Sequence, residues 1–141
     1  MKNKGFKVFY TTADIGISVK GKTLEDLFEN AARGLSYLLV KKFNFVNSFS
    51  LKKIKLKAPS TEGLLVKFLN ELLFFYEIEF LLFTNTKFHR FSDSEIIADI
   101  EFINLRNGNF TPFYDIKAAT YHDLKIVKKR IYYHANIIFD I

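Results

Sequence analysis

"SLKKIKLKAPSTEGLLVKFLNELLFFYE", Ser50 to Glu77, changes its period midway, and that change decides the fold. In its first part Lys53, Lys55 and Lys57 alternate with Ile54 and Leu56, the two-residue repeat of a half-buried strand whose lysines face solvent. Pro59 cannot donate to a ladder and stops the strand, and Ser60 or Thr61 then offers an oxygen to cap a helix. From there Leu65, Phe68, Leu69, Leu72 and Tyr76 recur at helical spacing. Leu64, Val66, Leu73, Phe74 and Phe75 widen that stripe until little of the helix is polar. A helix of this kind lies in a core or lends a face to a partner, and the core reading is favoured.

Outward from this stretch, the amino-terminal side reads as two strands, Phe6 to Tyr10 and Ile15 to Val19, with Ile15, Ile17 and Val19 on one face. A turn at "KGK" leads to a helix that runs to about Leu39. Thr23 and Asp26 resemble a capping pair, and Leu24, Leu27, Phe28, Ala31, Leu35 and Leu38 supply its apolar stripe. On the carboxy-terminal side "EIIADIEFI" places Ile96, Ala98, Ile100 and Phe102 on one face, and "LRNGNFTP" reads as a loop. "DIKAATYHDLKIV" and "RIYYHANIIFDI" read as further strands joined by a charged turn. The order βαβαββββ gives an α+β fold, expected as a single domain over residues 1–141, with two helices packed on a largely antiparallel sheet.

Composition supports a packed core. Of 141 residues 49% are hydrophobic and 17% aromatic, with 17 Phe and no Trp, enough apolar surface to offset chain entropy. The absence of cysteine removes disulfides, thiolate zinc sites and thiol nucleophiles, and it fits a reducing compartment, so the cytoplasm is the expected location. The first residues have no long apolar core and do not read as a signal peptide. The greasiest run, "FLNELLFFYEIEFLLF", carries Glu71, Glu77 and Glu79, which would be costly in lipid, so no membrane span is expected. Net charge is +6, and six lysines between Lys41 and Lys57 meet no acidic residue. A basic surface of this kind attracts nucleic acid or an acidic partner protein. The plainer reading, a strand's solvated face, is the stronger, because no arginine-rich or aromatic-basic signature accompanies the lysines.

Two apolar runs are each interrupted by one acid, "FYTTADIGIS" by Asp14 and "NIIFDI" by Asp140. By parity each aspartate faces away from the core, so each taken alone is a turn or surface acid. A chain ending at Ile141 sets its α-carboxylate beside Asp140. If Asp14 joined them, three hard oxygen donors would repel one another unless a cation were present, and oxygen ligation points to Ca²⁺, Mg²⁺ or Mn²⁺ rather than zinc. His89, His122 and His134 are scattered, without paired ligand spacing. His122 shares parity with Ile116, Ala118, Thr120, Leu124 and Ile126, which reads as a hydrogen-bonded core histidine, with a functional role as the alternative. There is no GxSxG elbow, P-loop or GxGxxG motif.

Four ordered blocks carry a resemblance: "TADIGISVKGKTLEDLFENAARGL" at Thr12 to Leu35, "LLVKFLNELLFFYE" at Leu64 to Glu77, "IKAATYHDLKI" at 116–126, and the closing "IIFDI". Together they resemble the archease family over nearly the whole chain. Archease-like proteins are protein cofactors of the RtcB-type tRNA-splicing ligase. The resemblance therefore implies an activator that promotes guanylylation of that ligase and its multiple turnover, reaching GTP and RNA only through the ligase and not itself an enzyme. It also implies a metal site built from Asp14, Asp140 and Ile141, with calcium expected first and magnesium or manganese as alternatives, and with Thr11 and His122 as functional or supporting neighbours. The family usually carries His where this chain has Thr11, and the loop "NLRNGNFTPFY" is short beside the family's. Two other functions are the alternatives: a metal-dependent phosphoesterase using the same acids with His122 as base, and a general RNA-binding or chaperone-like module resting on net charge.

Overall fold

The computed structural model describes residues 5–44 and 48–141. Strands β1 (Phe6–Tyr10) and β2 (Ile15–Gly21) form a hairpin, followed by helix α1 (Leu24–Leu39) and strands β3 (Val40–Phe43) and β4 (Phe49–Lys57). Helix α2 (Thr61–Glu79) comes next, then β5 (Leu81–Phe91) and β6 (Glu95–Asn104). The chain closes with the short strands β7 (Phe110–Pro112), β8 (Ala118–Ala119) and β9 (Val127–Lys128) and the long β10 (Tyr133–Asp140).

The strands form three antiparallel sheets. In the first, the order is β1-β2-β10-β8, with β9 also paired to β10; the second is β3-β7 and the third β4-β6-β5. The expected architecture of two helices on antiparallel strands therefore holds, with the sheet divided in three. The helices start where the sequence places their caps: the Thr23 hydroxyl accepts from Asp26 N, and the Ser60 hydroxyl accepts from Gly63 N. Helix α2 ends at Phe80, whose φ of 56° is left-handed, and the Phe80 N–H reaches the carbonyls of Phe75 and Tyr76.

One apolar cluster fills the space between the layers. Ile15, Ile17 and Val19 of β2, with Ala135, Ile137 and Phe139 of β10, face Leu27, Phe28, Leu35 and Leu38 of α1. Helix α2 contributes Leu64, Leu65, Phe68, Leu69 and Leu72, so the core reading of that helix holds. Only toward its far end do Phe74 and Ile78 face solvent. In β6, Ile96, Ala98, Ile100 and Phe102 are all fully buried, as their alternation predicts.

Three segments differ from the sequence reading. Strand β5 was not foreseen because its alternation is broken: Leu81, Leu82 and Phe83 are buried in succession, and the register shifts at Phe83/Asn85 and Phe88/Arg90. The loop around Gly108 contains a 3-10 turn and then the short β7, which pairs with β3. The stretch 115–127, read as one strand, pairs only at Ala118–Ala119 and at Val127. Between them the chain turns, with Asp123 at φ 52° and Leu124 N donating to Tyr121 O.

Candidate functional site: the acidic end of the first sheet

Residues 11–14 close the β1–β2 hairpin. Thr11 N donates to Asp14 O at 3.0 Å, Asp14 N donates to the Thr11 hydroxyl oxygen at 3.0 Å, and that hydroxyl lies 3.3 Å from Asp14 O. Thr11 thus fixes the main chain of Asp14 and leaves the carboxylate to point elsewhere. This is a sequence-local device, a threonine hydroxyl bonded three residues on.

The partner of Asp14 comes from the far end of the chain. Strand β10 pairs with β2 through Phe139 opposite Ile15. The pairing ends at that step, and Asp140 follows Phe139 as Asp14 precedes Ile15, so both aspartates lie at the same end of the β2–β10 pair. Ile15 and Phe139 are buried, so the two aspartates take the outer face, Asp14 half-buried and Asp140 exposed. On its other flank Asp140 pairs with Ala118, and Lys117 N donates to Asp140 O at 2.7 Å. The position of Asp140 is therefore held from the β8 side.

Neither carboxylate meets a hydrogen-bond donor or a cation among the described residues. Two acids at one sheet end without a counter-charge make a local excess of negative charge, the donor chemistry that suits a hard cation. Among the described residues no three His, Cys, Asp or Glu side chains gather closely enough to hold a metal. A cation here would thus take only two side-chain ligands and complete its shell from main-chain oxygens and water.

His122 is placed otherwise than its parity predicts. It lies exposed in the turn at 121–123, not on a buried apolar face, because the segment leaves the ladder after Ala119. Its N–H donates to the Thr120 hydroxyl oxygen at 3.2 Å, and its ring lies 3.4 Å from Asp123 Oδ2. Thr120 in turn donates through both its N–H (3.1 Å) and its hydroxyl (2.8 Å) to Ile138 O, tying this turn to β10 just before Asp140. Sequence reasoning also missed a pair of tyrosines at this end: Tyr10, next to Thr11, and Tyr114 share a hydrogen bond at 3.0 Å although 104 residues separate them. That bond, then burial, raises the Tyr114 pKa. No local pattern could have shown it.

A cleft of about 1050 Å³ lies at the opposite end of the first sheet, where Gly21, Lys20 and Tyr132 meet Tyr37, Leu82 and Phe83. It is remote from the two aspartates in register and shares no residue with them.

Fold and site together define a small α+β protein of two helices on antiparallel sheets, with a carboxylate pair presented at one sheet end. Over residues 6–141 the sequence matches the Archease protein family. It is 30% identical over 146 residues to Protein archease of Methanosarcina barkeri, covering 99% of this chain and 98% of that protein. It is 35% identical over 121 residues to Protein archease of Thermococcus kodakarensis, covering 83% and 84%. Among solved structures, the solution structure of protein 1598 from Methanobacterium thermoautotrophicum superposes with a TM-score of 0.75 at 26% identity, covering 99% of this chain and 100% of that one. The crystal structure of an archease from Thermotoga maritima, named a possible chaperone, gives a TM-score of 0.62 at 20% identity over 96% of each chain, a likeness of fold. The chain belongs to the archease family.

Proposed function

We propose that this protein is a protein cofactor of an RtcB-type RNA ligase, promoting guanylylation of the ligase and its multiple turnover in tRNA splicing or RNA repair. In this reading it acts in the cytoplasm, forms no covalent intermediate of its own, and meets GTP and RNA only at the ligase. Family membership supports the reading, and the observation that carries it is the β2–β10 register, which leaves Asp14 and Asp140 at the same end of the first sheet.

Asp14 and Asp140, with Ile141 as the third residue that the family resemblance implies, would hold a divalent cation, calcium first and magnesium or manganese as alternatives. Such an ion would offset most of the negative charge of these acids and supply a hard Lewis-acid centre at the surface that meets the ligase. Thr11 keeps Asp14 in its turn, and Lys117 and Thr120 keep β10 in register. Each of these residues positions a carboxylate and moves no proton.

The test is guanylylation of the cognate ligase with and without this protein. Wild type should stimulate it, and Asp14→Ala or Asp140→Ala should remove the stimulation while thermal unfolding stays within a few degrees of wild type. Full stimulation by both variants would sink the reading. Adding several residues after Ile141 should also impair stimulation, and an unimpaired tailed chain would remove Ile141 from the ligand set. The name "possible chaperone" borne by the Thermotoga maritima relative keeps a chaperone-like reading in play, with prevention of ligase aggregation, independent of both aspartates, as its signature. A metal-dependent phosphoesterase would need His122 as base, yet that ring faces solvent beside Asp123.

A further inference from the structure

The third sheet has two edges, and they are built differently. Strand β5 carries two register shifts along its pairing with β6, and bulges of this kind twist an edge away from new partners. Strand β4, the other edge, pairs with β6 over nine consecutive residues, Phe49 to Lys57, without a shift and without a proline. No strand among the described residues pairs with its far side.

The hydrogen-bond phase of that ladder fixes which groups lie on the free side. Asn104 N donates to Ser48 O at 2.9 Å, and Ala58 N donates to Ser94 O at 3.0 Å. Even-numbered residues from 48 to 58 therefore bond to β6, and the N–H and C=O groups of Phe49, Leu51, Lys53 and Lys55 point outward. Lys57 belongs to the same set, and its carbonyl already accepts from Lys67 Nζ at 2.6 Å. What remains is a straight row of alternating donors and acceptors four residues long, the complement of another extended chain.

The side chains on this edge define which chain fits. Phe49 and Leu51 are 52% and 67% exposed, and Lys53, Lys55 and Lys57 follow on the same face. Opposite them on β6 stand Glu95, Ile97, Asp99 and Glu101. Lys55, Lys57 and Arg90 crowd round the single carboxylate of Glu95 at 4.0, 3.7 and 3.3 Å, so the lysines are only partly neutralised. A second copy of β4 laid antiparallel over the same residues would set Lys53 against Lys53 and Lys55 and Lys57 against Leu51 and Phe49, so self-pairing matches no lysine with an acid. A strand that alternates acids with apolar residues would repeat on the free side the pairing that β6 makes on the other.

We infer that the outer edge of β4 is a docking edge for an extended, acidic segment of a protein partner, added to the third sheet as a fourth strand. This inference is independent of the ligase reading and of the two aspartates.

The experiment follows amide hydrogen exchange in the full chain. The probes are a nonapeptide alternating glutamate and valine, a matching peptide alternating lysine and valine, and oligouridylate, each at about 1 mM, where weak strand addition is measurable. The acidic peptide should slow exchange at Leu51, Lys53 and Lys55 about tenfold or more, and the other two probes should not. Lys55→Pro removes an outward N–H without touching a bond to β6, a substitution edge strands tolerate, and should abolish the protection. Lys53→Glu with Lys55→Glu leaves the backbone unchanged and should transfer the preference to the lysine peptide, which keeps the test decisive should the proline variant fold poorly. The inference is overturned by absence of protection with the acidic peptide, by equal protection from the lysine peptide or oligouridylate, or by an unchanged preference after the charge reversal.

Discussion

At the scale of single residues, position relative to the sheet decides the chemistry. Asp14 and Thr11 make one turn, and a β-branched side chain of equal size without the hydroxyl would leave Asp14 N without its acceptor. Thr11→Val should therefore cost about 1 kcal/mol, read as a shift in denaturant midpoint at constant slope. His134 offers a pH test. Its ring lies 2.9 Å from the Ser18 hydroxyl on the outer face of the first sheet. Burial first, then Lys129 and Lys20, lower its pKa below the ordinary histidine value. The folded state thus favours the neutral ring, so its contribution is complete above the unfolded value of about 6.5 and is lost as pH falls through the lower folded value. Unfolding midpoints should decline over that acidic window, and His134→Gln should flatten the decline; an unchanged slope would show that other groups govern it. The His134 contact could not be read from the sequence, since Ser18 and His134 meet only through the β2–β10 register.

At the scale of elements, the sequence marks starts and stops well and pairings poorly. Thr23, Ser60 and Pro59 sit where caps and a strand stop were expected, because capping depends on atoms within three residues. Gly21 adds a constraint no pattern revealed. A Cβ there would press on Leu27 N and lie 2.7 Å from Leu27 Cα, both main-chain atoms of α1. Gly21→Ala should therefore cost about 1–3 kcal/mol by forcing the helix off β2, against about 1 kcal/mol for Thr23→Ala. Chemical denaturation measures both, and an alanine at 21 without effect would mean that α1 shifts freely. Strand β5 escaped the sequence reading because its bulges and its doubly covered start destroy the alternation on which recognition of a strand depends.

At the scale of the molecule, aromatic packing joins the helices to the third sheet. Phe28 of α1 lies 5.8 Å from Phe68 of α2 and 4.9 Å from Phe91 of β5, and Phe68 lies 6.0 Å from Phe88. Both Phe28 and Phe68 are fully buried. Phe28→Ala should cost about 3–5 kcal/mol and lower the midpoint seen by far-UV and by near-UV signals together. Separate transitions would show that the helices and the third sheet unfold independently. Among the described residues no helix is long and apolar enough to cross a membrane, since α2, greasy as it is, carries Glu62, Lys67, Glu71, Glu77 and Glu79. By itself the sequence determined both helices with their caps, the buried faces of β2, β6 and β10, and the two acids that interrupt apolar runs, because periodicity and capping are written within a few neighbouring residues. Only the tertiary structure decided that Asp14 and Asp140 come to the same end of the first sheet, that His122 turns out to solvent, and that β4 keeps a straight free edge. Those outcomes depend on strand register between distant segments, which the packing of the whole core sets at once.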